Sequence, residues 1–292
     1  MDIGKLGVWS FLDAVPAAGV LLAARKIEEL GYGALWIPEA VGREAFASSA
    51  SLLAATSKMV IATGIANIYA RDATTMAAGR NTLAEQSGGR FLLGIGVSHR
   101  PLVSGIRGHD WSRPYSFMRD YLAAMERAPY SAVPPTEAAP TLIGALHPRM
   151  LALAAEKTLG AHPYLVPPEH TAFAREIMGP SAWICTEQKV LLLEDPVQAR
   201  GVARQAIALY LGLPNYRRNL ERFGYGDEDF AAGGSDRLVD AVVAWGSEDA
   251  IAARIKAHHD AGADHVCIQP LHPLGMPSPD WNVLETFAPA RN

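Results

Sequence analysis

The sequence predicts an α/β protein folded as a single-domain (β/α)8 TIM barrel over residues 1–292. Three observations carry that expectation. Eight short β-rich apolar runs alternate with helical stretches. The runs are apolar on both faces, as strands are when helices cover both sides of a parallel sheet. The third is size: 292 residues, 49% hydrophobic and 19% charged, furnish one large core at a length α/β barrels reach as one domain. Eight strands also close such a sheet, and a doubly wound open sheet is the second choice.

The elements follow in order. Residues 6–10 (LGVWS) form a first strand, and Pro16 opens a helix with Val20, Leu21, Ala24 and Ile27 on one face, ended by Gly31. Residues 34–38 (ALWIP) are the second strand, 48–56 a short helix, and 60–66 (VIATGIA) the third strand. A helix over 74–87 and the Gly88-Gly89 pair lead to the fourth strand, 91–97. A helix over 113–127 precedes a turn-rich stretch, 128–140, with four prolines. The alternation resumes unchanged beyond it, so that stretch is a long loop within one domain, of a length that leaves the barrel mouth open. Residues 141–145 are the fifth strand, 148–157 a helix, 161–165 (AHPYL) the sixth strand, and 168–178 a helix. A seventh strand lies within 183–193, followed by a helix from Asp195-Pro196 to Leu211 and a polar loop over 224–234. Residues 235–245 read as helical, Ser247 caps a further helix to Ala261, and 263–269 supply the eighth strand.

Composition closes off several function classes. Twenty-six basic against 30 acidic residues leave a formal charge of −4, with no electrostatic footprint for nucleic acid or an anionic membrane. No run of 18 apolar residues occurs and no signal-peptide pattern opens the chain, so a cytoplasmic protein is expected. Cys185 and Cys267 are isolated, which predicts buried, reduced, unbridged thiols. Familiar motifs fail. The third glycine of a dinucleotide fingerprint would fall at His99, and Arg100 stands where a nucleophile elbow needs glycine. No metal set is read from the nine dispersed histidines.

What remains is positional: a barrel builds its site from the C-terminal strand ends. Those ends carry Glu39, the run from Gly64 to Arg71, Ser98 and His99, Gly144 and Ala145, and His162 to Leu165. Trp9 and Trp36 read as barrel core, with a substrate wall as the alternative.

Here the sequence resembles a known family. VIATGIANIYARDATTMA and GGRFLLGIGVSH resemble the third and fourth strand regions of the luciferase-like monooxygenase superfamily. GALHPRMLALAAEKTLGAHPYLVPPEHT resembles its fifth and sixth. More narrowly, the chain is similar, nearly end to end, to the branch assigned to the deazaflavin coenzyme F-420. The resemblance implies a bacterial-luciferase-like barrel that passes a hydride between coenzyme F-420 and an unidentified small organic substrate. Its alternatives are an FMN-dependent two-component monooxygenase, supplied by a separate reductase, and a non-catalytic flavin-binding relative.

Carried over by position, the resemblance implies a non-proline cis bond at Gly64–Ile65, with Ile65 behind the ring and Asn67 at its edge. Ser98 and His99 would contact the ring edge or phosphate tail, and Glu39 is the carboxylate near the reacting carbon, so Glu39 and His99 are the catalytic candidates. Gly144 and Ala145 admit the tail, and Tyr164 and Leu165 offer amides to its phosphate near a helix N-terminus. Arg71, Arg100 and Arg107 are candidates for the anionic tail beyond it. Each position has an ordinary alternative: a close-packed glycine, a turn-capping Asn, an exposed His, a solvated acid, a packed Tyr. One departure stands out. Relatives commonly carry Arg-His-Pro where this chain has Arg71-Asp72-Ala73. The family also suggests a homodimer through helices rich in small residues, among them Ser48, Ser49, Ala54, Ala77 and Gly79.

Overall fold

A computed structural model describes residues 1–289; the last three residues of the expected domain, 290–292, lie outside them. Every apolar run becomes a parallel strand because both of its faces are covered. The strands are β1 (Leu6–Trp9), β2 (Ala34–Ile37), β3 (Val60–Thr63), β4 (Ala66–Asn67), β5 (Phe91–Gly96), β6 (Thr141–Ile143), β7 (Gly160–Ala161), β8 (Trp183–Leu191), β9 (Val243–Trp245) and β10 (His265–Pro270). Eight of them close in the order β1-β2-β3-β5-β6-β7-β8-β10. The seam is the pairing of β10 with β1, Leu6 opposite Val266 and Val8 opposite Ile268. This is the expected (β/α)8 barrel.

The surrounding helices are α1 (Ala17–Glu29), α2 (Ala45–Ala55), α3 (Ala73–Gln86), α4 (Pro114–Glu126), α5 (Pro148–Lys157), α6 (Pro168–Met178), α7 (Pro196–Leu211), α8 (Pro214–Glu221), α9 (Asp227–Phe230), α10 (Asp236–Val242), α11 (Glu248–Asp260) and α12 (Trp281–Thr286). Their starts were written locally. Five of them (α4 to α8) begin on proline, which gives up no needed N–H there. Asp72, Ser235 and Ser247 cap three others (α3, α10 and α11) and Asp195 adds a cap to α7, each accepting from a backbone amide of the first turn.

Inside the barrel Trp9, Trp36, Ala62, Leu92, Leu142, Cys185 and Cys267 pack together. Both cysteines are free and buried, as expected. A second apolar cluster joins α7, α8 and α10 to Leu165 above the C-terminal strand ends. No described helix is long and apolar enough to cross a membrane.

Several expectations need correction. The third strand, read as 60–66, is interrupted where the resemblance placed a cis bond: Gly64–Ile65 is cis as expected, and β4 resumes beyond it on β5, with Ala66 opposite Ile95. Of the expected sixth strand, 161–165, only Ala161 lies in the ladder, with Gly160 before it, and Leu165 adopts a left-handed φ of 57°. Residues 235–245 are not all helical: α10 stops at Val242, and Val243–Trp245 pair with Lys189–Leu191 of β8. The polar loop holds α9 and a 3-10 turn, and a π-helical turn, Pro101–Ile106, follows β5. The loop over 128–140 does not shape the mouth. It precedes β6, so it lies at the N-terminal face, where Val133 and Pro134 border a cavity with Met1, Lys58 and Val60. Of the small residues expected at a dimer face, Ser49 and Ala77 are buried within this chain and Gly79 makes room for Phe46, while Ala54 is exposed.

Candidate active site

Parallel strands bring all the sequence-selected positions to one end of the barrel, and hydrogen bonds join those of β2 and β3. The Gly64 amide donates to the Ile37 carbonyl (2.8 Å) and the Glu39 amide to that of Ile65 (3.2 Å). Only glycine fits at 64: an added Cβ would lie 2.7 Å from Trp9 Nε1 and 2.9 Å from His162 Nε2. Ile65, half-buried, folds its side chain over two more glycines. A Cβ at Gly96 would stand 2.6 Å from Ile65 Cδ1, and one at Gly144 3.2 Å from its Cγ2. The glycines at the ends of β5 and β6 are therefore the seat of Ile65.

Beneath that seat lie two buried polar atoms without partners. Asn67 is fully buried; its Oδ1 accepts from the Tyr69 amide (2.9 Å), and its Nδ2 has no partner among the described residues. His162 stacks on Trp36 with centroids 4.6 Å apart, and its Nδ1 donates to the Cys185 carbonyl (2.8 Å), leaving the Nε2 lone pair free. Burial pushes the His162 pKa down to about 4, so the ring is neutral near pH 7. Trp9 Nε1 closes the group by donating to the Gly64 carbonyl (3.1 Å).

Glu39 sits where expected, but it is engaged. Oε2 accepts from the Asn67 amide (2.7 Å) and Arg71 Nη1 (2.9 Å), while Arg71 Nη2 reaches Oε1 and also Glu44. The two side chains are 5% and 9% exposed. Burial opposes the Arg71 charge, and the two carboxylates outweigh it and hold the guanidinium pKa up. Arg71 is thus a clamp on the strand-three end, not a free cation for a tail. Arg107 is also committed in part, donating to the Ala40 carbonyl (3.1 Å), and Arg100 is exposed.

At the end of β5, Ser98 takes a left-handed φ of 53°, which aims the half-buried His99 toward Tyr216, 5.4 Å away between ring centroids. Burial lowers the His99 pKa, and its Nδ1 has no partner. Ala145 is buried beside Gly144, where it packs in the main core. Leu165, the second left-handed residue, is held by its amide donating to Glu187 Oε2 (3.0 Å). Such conformations in residues other than glycine cost of order 1–3 kcal/mol and cluster at sites. Tyr164 tilts against Trp9 at 5.1 Å, and its hydroxyl lies 2.9 Å from that of Tyr210 and 3.0 Å from Gln269 Oε1.

Sequence reasoning missed four groups at this end. Glu187 and Lys189 project inward from β8 as a buried pair 3.2 Å apart, with Lys189 Nζ 3.8 Å from the Tyr164 ring centroid. Burial pushes the carboxyl pKa up and the ammonium pKa down, and their mutual attraction opposes both shifts. Two charges inside the run CTEQKV were the available signal. Arg217 of α8 pairs with Glu221 and Asp227, whereas Arg218 of the same helix and Arg222 at its C-cap make no ion pair among the described residues. Both stand near His147, whose pKa falls through burial and then through their charge. Gln269 at the end of β10 and Tyr210 of α7 face a cavity of about 300 Å³ together with Trp9.

Comparison with known proteins gives the chain its setting. Residues 7–265 match the luciferase-like monooxygenase family. A Mycobacterium tuberculosis protein named, provisionally, a coenzyme F420-dependent oxidoreductase is 26% identical over 255 residues, 73% of each chain. An F420-dependent secondary alcohol dehydrogenase, solved with an F420–acetone adduct, superposes with a TM-score of 0.78 at 14% identity over 97% of both chains. The oxygenating constituent of 3,6-diketocamphane monooxygenase from Pseudomonas putida, solved with FMN, reaches a TM-score of 0.73 at 16% identity, covering 98% of this chain and 96% of its own.

Proposed function

The chain belongs to the luciferase-like monooxygenase family, and on that premise we propose that it is an oxidoreductase that passes a hydride between coenzyme F-420 and a small organic substrate. One observation carries the reading: the strand-three end presents Ile65 on a glycine seat beside a fully buried Asn67 Nδ2 that has no hydrogen-bond partner among the described residues. Leaving such a donor unmade costs about 1–3 kcal/mol. A flat ring with carbonyl oxygens on its edge fits that donor. Coenzyme F-420, when bound, supplies the carbon that carries the hydride.

The chain's own residues have distinct parts. Ile65 supports the ring, and Asn67 holds its edge. Ser98, Gly144, Ala145 and Tyr164 frame the approach of the tail, whereas the Leu165 amide, expected to meet its phosphate, is spent on Glu187. Glu39 is a positioning group that fixes Arg71 and the Asn67 backbone. His99, kept neutral by burial and free at Nδ1, is the group placed to accept or return a proton. Arg218 and Arg222, unpaired beside His147, supply the positive edge that a multiply charged anionic tail needs and that Arg71 cannot.

Fluorescence titration of the purified protein with coenzyme F-420 and with FMN tests the assignment. Coenzyme F-420 is expected to bind at least about tenfold tighter, a difference of about 1.4 kcal/mol. Replacing Arg218 and Arg222 together by Ala should erase that preference. Tighter binding of FMN would point instead to the monooxygenase reading, and binding of neither would end both.

A further inference from the structure

We propose that the cavity between β1, α7 and the chain that follows β10 is the substrate subsite, and that it takes a neutral, largely apolar molecule presenting one acceptor oxygen to Gln269. The location rests on the function proposed above. Trp9 joins the two places: its ring lines the cavity, and its Nε1 donates to the carbonyl of Gly64 at the seat of Ile65 (3.1 Å).

The lining selects the chemistry. Among the described residues no Asp, Glu, Lys or Arg borders the cavity; Trp9, Phe11, Tyr210, Pro270, Leu271 and Met276 give it apolar walls. Ser10, Gln205 and Ser278 join Gln269 as uncharged polar groups, and His272 adds an imidazole. The nearest buried charge is withheld. Lys189 sits under the rings of Tyr164 and Tyr210, 1% exposed, and is paired with Glu187. A carboxylate or ammonium entering here would lose water and meet no Asp, Glu, Lys or Arg to pair with. At about 300 Å³ the cavity is at the small end of ligand pockets, so the guest is small.

Gln269 supplies the polar anchor. It is only 8% exposed, and its Oε1 is committed to the Tyr164 hydroxyl (3.0 Å), which fixes the orientation of the amide. Its Nε2 makes no hydrogen bond among the described residues. The donor on a cavity wall is therefore unanswered, and a carbonyl or hydroxyl oxygen answers it. The way in is apolar as well: Phe11 is 39% exposed, Met276 48%, and Leu274 in the same loop 79%.

Binding of three probes with one carbon skeleton tests this: cyclohexanone, cyclohexanecarboxylate and cyclohexylammonium, followed by ligand-observed NMR with and without coenzyme F-420. Cyclohexanone should bind at least about tenfold tighter than either ion. Gln269→Glu keeps the acceptor for Tyr164 and removes the NH2 donor, so it should weaken the ketone at least about fivefold. Ala206→Trp, which fills the cavity from α7, should abolish ketone binding and guards against a misfolded Gln269 variant. Equal or tighter binding of an ion, no detectable binding of the ketone, or ketone binding unchanged in both variants would overturn the inference. Coenzyme fluorescence in the same samples keeps the two claims apart. Intact coenzyme binding without ketone selectivity removes only the subsite, whereas selectivity without coenzyme binding removes the proposed function.

Discussion

Glu39 shows what a residue means once its neighbours are known. In the sequence it is an acid after a strand, and nothing in its spacing points to Arg71, 32 residues away. In the fold it completes a buried bidentate pair and caps the Asn67 amide, so its loss uncovers a guanidinium and a backbone donor together. Glu39→Gln should therefore lower unfolding free energy by about 3 kcal/mol in urea titrations and weaken coenzyme binding, because removing one partner of a buried pair strands the other. A loss below about 1 kcal/mol, with turnover alone reduced, would return Glu39 to the role of proton carrier. Gly64, Ile65, Asn67 and Gly144 were legible by resemblance. The orphaned amide of Asn67 and the neutral ring of His162 were not, since an unmade hydrogen bond exists only in three dimensions.

At the scale of elements, β8 carries the most information that pattern reading passes over. Its alternation sends Glu187 and Lys189 inward and Gln188 outward to α11, where His258 Nε2 donates to Gln188 Oε1 (2.9 Å) and Nδ1 accepts from Thr171 (2.8 Å). Those bonds suit a neutral imidazole, and burial pushes the His258 pKa down to about 3. His162, His170 and His265 are likewise depressed, each to about 4. Because these folded pKa values lie below the ordinary value of 6.5, the unfolded chain binds more protons between about pH 6.5 and 4. Stability is therefore full above that window and falls as pH drops through it. His258→Gln should remove one proton from the difference and flatten the fall by about 1.4 kcal/mol per pH unit, measured by urea unfolding at stepped pH. An unchanged slope would mean that His258 is already charged in the folded protein. The proline starts of α5 and α6 were legible to the residue. The end of α10 was not, because β9 exists only through its pairing with β8.

Across the whole molecule the alternation of strand and helix was enough to predict a closed barrel, since eight doubly covered strands leave few other ways to bury both faces. Direction then decides which loops matter. Connections that follow strands gather at the mouth with Ile65, His99 and Gln269, and those that precede strands gather at the other end, as the loop over 128–140 does. The cationic edge of α8 was missed although Leu213, Tyr216, Leu220 and Phe223 recur at helical spacing, because only the folded chain shows where the charges on the opposite face of such a helix lie. The central claim is that the ring and tail of a deazaflavin rest on the C-terminal ends of β3 to β6. Hydrogen–deuterium exchange with and without saturating coenzyme F-420 tests it most directly. Slowed exchange is predicted in residues 64–69, 96–99 and 144–147, with residues 128–140 on the opposite face unchanged. Protection confined to 128–140, or none at the strand ends despite bound coenzyme, would contradict it.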